Sequence, residues 1–269
     1  MSHPNGPAVL PRPDTAIVVP VHNARAHVEP CLRSLAATCP GLPLIVVDDA
    51  SDPETHEWLR HFLLSEGAGF WKYSPTLLCN ERQQLFTRTV NRGLRRAFRM
   101  RQTAAPLPIE FVAVVNSDCV LHDHWLKALR LGMDDPHVGL VGYCDRPDGQ
   151  EPALRELREP DYIAEHCMLL RVRMLEEIGV LCESDTDGRE SPGLAHALGQ
   201  AHFGSDRGLC WRANRAGWKT LDCHCRLCSH AGGASWTHDP DWLSRFDLQP
   251  LWPPCDQLVN PAWVETAEE

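Results

Sequence analysis

The sequence predicts an α/β fold on a mostly parallel sheet with helices on both faces, and three observations predict it. Ala16 to Val21 (AIVVPV), Leu44 to Val47 (LIVV) and Phe111 to Val115 (FVAVV) are apolar throughout rather than alternating, the pattern of strands buried on both sides. Segments with helical apolar spacing separate them. Each run ends in polar residues, namely His22-Asn23, Asp48-Asp49 and Asn116-Ser117-Asp118, and open α/β sheets hold their ligands beyond the carboxyl ends of their strands.

A Pro-rich lead, residues 1–15, precedes the first strand. Ala26 to Thr38 carries Val28, Leu32 and Leu35 at helical spacing, and Pro40-Gly41 ends it before the second strand. Glu54 to Leu64 is the second helix. Seven arginines lie between Arg82 and Arg101, with Arg88, Arg92, Arg95 and Arg99 opposite Phe86, Val90, Leu94 and Ala97. That is an amphipathic third helix, whose basic side is a solvated face or attracts an anionic donor or a membrane surface. After Gly142 the pattern is less regular, with a strand and helix over His166 to Gly179 and a helix over Asp206 to Ala216. From Ser235, Trp236, Trp242, Trp252 and Trp263 with several prolines predict an irregular extension over residues 235–269, packed on a domain spanning 16–234.

A formal charge of -10 disfavours nucleic acid, because a polyphosphate backbone is repelled unless one face is strongly basic. No stretch approaches the roughly 18–20 apolar residues of a membrane span, and the opening MSHPNGPAVLPRPD lacks a charged-then-apolar export pattern. Twelve cysteines spread through such a chain point to reduced thiols and to the cytoplasm.

The strand ends carry the candidate chemistry. Asp48 and Asp49 can accept hydrogen bonds from a nucleobase or ribose, the alternative being helix-capping carboxylates, with Ser51 and Asp52 favouring a turn or cap. Asp118 offers a hard oxygen ligand for Mg²⁺ or Mn²⁺ bound to substrate phosphates, or else caps a loop.

PVHN (Pro20 to Asn23), VVDDAS (Val46 to Ser51), NRGL (Asn91 to Leu94), VVNSDCVLHDHWL (Val114 to Leu126), HCMLLRVRMLEEIG (His166 to Gly179), FGSDRGLCWRANRAGW (Phe203 to Trp218) and SHAGGAS (Ser229 to Ser235) follow one another in that order. Together they resemble the family 2 glycosyltransferases of GT-A fold. The resemblance runs from about Ala16 to Ser235. It implies a nucleotide diphosphate sugar donor, of the UDP or dTDP type, and a saccharide, lipid-linked or peptide acceptor. By the same resemblance Pro20 and Asp49 fall where the family holds the nucleoside. His22, Asn23, Asp48, Asn91, Asn116 and Ser117 lie in the matched motifs and count with them on the donor side. Asp118 takes the last position of the D-x-D-type motif and would ligate Mn²⁺ or Mg²⁺. His230 matches a position that completes the metal site in relatives with this ending. Asp206 matches the general base of an inverting displacement; without the family it reads as a helix N-cap.

Ser205 stands where the family has Glu, Gly208 where it has a second acidic residue, and Ser117 where the metal motif has Pro. Residues between Cys182 and His202 form an insertion. A nucleotide-sugar-binding scaffold with impaired catalysis is therefore the competing class. A third is a zinc-binding module on Cys223, Cys225, Cys228 and His230, although C-x-C-x-x-C lacks paired C-x-x-C knuckles and suits small thiols packed around a strand. His56 and His61 are five apart, so they do not form the zinc-protease pair, and neither nucleotide-binding glycine fingerprint is present.

Overall fold

The three apolar runs become the core strands. In the computed structural model, which describes residues 13–66, 69–103, 106–142, 154–157, 162–163, 166–181, 205–223 and 227–231, they are β1 (Thr15–Val21), β2 (Leu44–Asp48) and β4 (Phe111–Val115). Most of the lead expected at 1–15, the insertion between Cys182 and His202, and the extension 235–269 lie outside the described residues.

The remaining strands are β3 (Thr76–Cys79), β5 (Cys119–Leu121), β6 (Val138–Gly142), β7 (Arg155–Glu156), β8 (Cys167–Arg171), β9 (Lys219–Asp222) and β10 (Cys228–His230). Among the described residues one eight-stranded sheet has the order β3-β2-β1-β4-β8-β6-β9-β7, and β10 pairs with β5 in a small separate ribbon. β1, β2, β3 and β4 pair in parallel, as do β6 and β9, whereas β8 runs antiparallel to β4 and β6, and β7 to β9. The chain adds strands on one side of β1 and then crosses to the other. This reversal opens a crevice beyond the carboxyl ends of β1 and β4.

The helices are α1 (Arg25–Thr38), α2 (Pro53–His61), α3 (Leu85–Met100), α4 (Trp125–Gly132), α5 (Val172–Ile178) and α6 (Ser205–Arg215), with a π-helical turn at Phe62–Glu66 after α2. Strand residues sort by parity. Ile17, Val19, Leu44, Val46, Ala113 and Val115 pack on one face with Leu32 and Leu35 of α1, Leu59 of α2 and Trp125 and Leu129 of α4. Val18, Ile45, Val47, Val112 and Val114 pack on the other with Val90 and Leu94 of α3, Leu175 of α5 and Leu209 of α6. Each fully buried aliphatic side chain contributes about 1.5–3 kcal/mol, so these two layers dominate stability.

Helix α3 lies close to the sheet because Gly93 permits it. A Cβ there would sit 2.3 Å from Val18 Cγ1 and 3.2 Å from Val47 Cγ2. Its apolar stripe keeps Val90, Leu94 and Ala97 buried, as the spacing predicts, with Phe86 only partly so. The arginine face is not merely solvated. Arg92 donates to the Cys79 carbonyl and to Asn80 Oδ1, and Arg101 pairs with Glu176 of α5.

The start of α3 has no side-chain cap of its own. Asp49, just after β2, supplies it from across the sheet: Oδ1 accepts from the Gln84 N–H at 2.7 Å and Oδ2 from the Leu85 N–H at 2.9 Å. Helix N-termini favour such an anion. Burial nevertheless pushes the Asp49 carboxyl above its ordinary value of 3.8, outweighing the hydrogen bonds from Asn80 and Gln84.

This packing makes stability sensitive at two positions. Gly93→Ala should lower stability by about 1–3 kcal/mol, since Val18 and Val47 have no free space to yield, read as a lower urea midpoint with unchanged slope. Because the folded pKa of Asp49 is raised, its stabilising contribution is full below 3.8 and is lost as pH rises through the folded value. The stability difference between wild type and Asp49→Asn should shrink over that rise, as measured by urea midpoints across the acid range.

Candidate metal and donor site

The crevice is walled first by the loops after β1 and β2. Asn23, Ala24 and Ala50 all have φ near +55°, a left-handed conformation that non-glycine residues hold only when the surroundings fix it. The fixing contacts cross between the loops. Asn23 N–H donates to Ser51 Oγ at 2.8 Å, and Asn23 Oδ1 accepts from the Asp52 N–H at 2.7 Å. His22 Nδ1 lies 2.8 Å from the Asp49 carbonyl, so that nitrogen carries the proton, and in the neutral ring Nε2 accepts from the Asn23 amide at 3.2 Å. Pro20 is buried in β1 opposite Val47.

Both acidic residues at the end of β2 are committed to structure. Asp48 is 1% exposed; Oδ1 accepts from the Ser51 N–H at 3.0 Å and Oδ2 lies 2.7 Å from His56 Nδ1. Asp49 is 3% exposed and, besides capping α3, accepts from Asn80 Nδ2 at 2.6 Å. The alternative of solvated carboxylates capping the next helix does not describe them: both are buried, Asp52 caps α2, Asp49 caps α3, and Asp48 holds the Ser51 turn and His56. Asn91 is fully buried in α3, where its amide donates to the Leu181 carbonyl at 2.7 Å and accepts from the Leu181 N–H at 3.1 Å. That pairing ties α3 to the segment just after α5, a role the motif does not announce.

At the end of β4 the chain turns through Asn116, Ser117 and Asp118 into β5. The Asn116 N–H donates to the His166 carbonyl at 2.9 Å, while its side-chain oxygen is buried and accepts no hydrogen bond among the described residues. Asp118 is 11% exposed at its side chain, and its Oδ1 lies 3.2 Å from His230 Nε2. β10 brings His230 there by pairing antiparallel with β5, His230 opposite Cys119. The Asp118 carbonyl accepts from the Ala231 N–H at 3.1 Å and closes the ribbon. Asp118 and His230, distant in sequence, thus meet as the resemblance implies.

These residues fit a divalent cation. Ligand atoms of Asp118, Cys119 and His230 all lie within 4.8 Å of one another, a spacing that oxygen, sulfur and nitrogen donors can adopt around one ion. The buried Asn116 oxygen at the same strand end needs a donor or a cation to satisfy it.

Nothing in the sequence singles out Cys119 or the His166 ring for this site. Cys119 Sγ donates to the His166 carbonyl at 3.3 Å, and the His166 ring stacks on that of His230, centroids 4.6 Å apart. Cys228 lies within hydrogen-bonding reach of the Cys119 and Cys167 thiols, which hold it below the ordinary thiol value; those contacts and then burial push Cys119 and Cys167 up. The sequence signal for the group is faint, because the three cysteines come from three separate segments. Cys225 lies outside the described residues.

Asp206 sits in the first turn of α6, 8% exposed beside fully buried Ser205. Helix α6 leads into β9, which runs parallel to β6, so its N-terminus lies at the edge where the parallel strands end. Asp118 and Asp206 therefore share that edge of the sheet. Among the described residues a Cβ at Gly208 would meet nothing within 4 Å.

Solved structures share this architecture. The mannosyltransferase PcManGT from Pyrobaculum calidifontis, in complex with GDP-Man and Mn²⁺, is 18% identical, covers 84% of this chain and 60% of its own length, and has a TM-score of 0.58. TarS from S. aureus, residues 1–349, is 15% identical over 83% of this chain and 62% of its own, with a TM-score of 0.55. Its complex with UDP-GlcNAc is 16% identical over 80% and 57%, with a TM-score of 0.54. The chain thus spans about three fifths of the length of these structures, and at such identity the likeness carries the fold alone. No curated protein sequence matches the chain. The family model for glycosyl transferase family 2 matches residues 16–179, more than half of the chain, from β1 to the end of α5, and the chain belongs to that family.

Proposed function

We propose that the protein is an inverting, metal-assisted glycosyltransferase that moves a sugar from a nucleotide diphosphate donor, of the UDP or dTDP type, to a saccharide, lipid-linked or peptide acceptor. The observation that carries this reading is the Asp118–His230 pair at the carboxyl end of β4, inside a family 2 domain. The neighbours' ligands, GDP-Man with Mn²⁺ and UDP-GlcNAc, support the donor class.

Asp118 and His230 would hold Mn²⁺ or Mg²⁺, which when bound neutralises the charge developing on the departing diphosphate. The crossed loops of His22, Asn23 and Asp49 would wall the nucleoside, with Pro20 behind them, and Asp48 fixes that wall through Ser51 and His56. Asn116 and Ser117 would face the sugar–diphosphate, where the buried Asn116 oxygen would accept a hydroxyl hydrogen. Asp206 would take the proton from the acceptor hydroxyl as the new bond forms on the opposite side of the anomeric carbon, which inverts its configuration. No atom of the described residues crowds the Gly208 position, which would leave room for the acceptor on that side. We place this activity in the cytoplasm on the reduced-thiol composition; among the described residues no helix is long and apolar enough to cross a membrane.

The loss of the family's Glu at Ser205 favours one competitor, a protein that binds the donor without transferring it. Thermal shift with nucleotide sugars, with and without Mn²⁺, and transfer assays separate the two. Asp118→Ala should lose metal-dependent donor stabilisation and turnover, while Asp206→Asn should keep the donor-induced shift and lose transfer by on the order of 100-fold or more. Donor binding by wild type without transfer or hydrolysis over a broad acceptor panel would establish the competitor.

A further inference from the structure

The Asp118–His230 pair has a neighbour that a hard cation does not call for. In the β5–β10 ribbon His230 stands opposite Cys119 and Cys228 opposite Leu121, so strand alternation puts all four side chains on one face. That face joins a core layer that also contains Cys31, Cys167 and Cys223. Cys119 is fully buried, and its sulfur lies within 4.8 Å of both the Asp118 carboxylate and a His230 ring nitrogen.

Donor chemistry then separates the metals. Mn²⁺ and Mg²⁺ prefer oxygen ligands, whereas a thiolate beside an imidazole and a carboxylate is a zinc donor set with one position left open. A second Asp/His/Cys group brings together Asp48, His56 and Cys79, whose cysteine is exposed at the end of β3 whereas Cys119 is buried.

We propose that Cys119 is a third ligand of the Asp118–His230 site and makes it select zinc, or a similarly thiophilic divalent cation, over manganese. This rests on the reading that Asp118 and His230 form the cation site. Binding replaces the Cys119 S–H proton by the metal and releases that proton to solvent, so the hydrogen bond to the His166 carbonyl is given up.

The test uses the full chain, stripped of metal and titrated with Co²⁺ as a spectroscopic stand-in for zinc. Wild type should develop one equivalent of a sulfur-to-cobalt charge-transfer band in the near ultraviolet, displaced by Zn²⁺ but not by a large excess of Mn²⁺. Cys119→Ala should lose the band and bind Zn²⁺ at least about tenfold more weakly, with Mn²⁺ binding retained by electron paramagnetic resonance. Cys79→Ser should keep it. No band in wild type, a band surviving Cys119→Ala, or a band lost in Cys79→Ser or only in Cys228→Ala, would overturn the proposal. Zinc-edge X-ray absorption on wild type needs no variant to fold; a first shell of nitrogen and oxygen alone would equally overturn it. A Cys119-dependent band in a chain that binds no nucleotide sugar would sink the transferase reading and leave this one standing. Donor turnover with Mn²⁺ and no band would do the reverse.

Discussion

Core strands covered on both faces have no room for a polar side chain until they end. From Ala16 to Val19, from Leu44 to Val47 and from Phe111 to Val115 every residue is apolar and buried, because each face of the sheet is pressed against helices. Polar chemistry is thereby confined to the edge where these strands stop. The order of strands does the rest, since the reversal between β1 and β4 leaves that edge open where Asn23, Asp49 and Asn116 emerge.

What stands at the edge is held by hydrogen bonds between loops more than by contacts within any one of them. Asn23 binds the Ser51–Asp52 turn, His22 binds the Asp49 carbonyl, and Asp49 reaches Asn80 and the start of α3. The three left-handed residues in these loops are the conformational cost of that interlocking, each about 1–3 kcal/mol of strain held by its surroundings. Acidic groups serve as cross-braces here, and a rigid wall of this kind loses little freedom when a ligand settles on it.

How much of this is legible in the sequence depends on the kind of signal. The apolar runs mark β1 and β2 to within a residue at each end and β4 at both its ends, because runs that short and that uniformly apolar suit a buried strand better than a helix or a surface loop. β3 leaves no such mark, being a four-residue strand with only partly buried side chains, and neither do the short β9 and β10. That β8 runs antiparallel has no signature in its apolar pattern. For the site, the resemblance draws Asp118 and His230 to one place, and the structure brings them together. It also groups Asn91 with the donor-side residues, and the structure adds hydrogen bonds from that amide to Leu181, which the motif does not announce. The thiols are the plainest case: Cys223, Cys225 and Cys228 invite a local reading, whereas the partners of Cys228 come from β5 and β8.

The β5–β10 ribbon sets a schedule as well as a geometry. Asp118 leaves the ribosome long before His230, and β1 to β4 with their helices can collapse while the second partner is still being made. A nascent or truncated chain ending after α5 would hold much of the core sheet yet only one member of the Asp118–His230 pair. His230 thus reaches Asp118 only after the core strands β1 to β4 have been made.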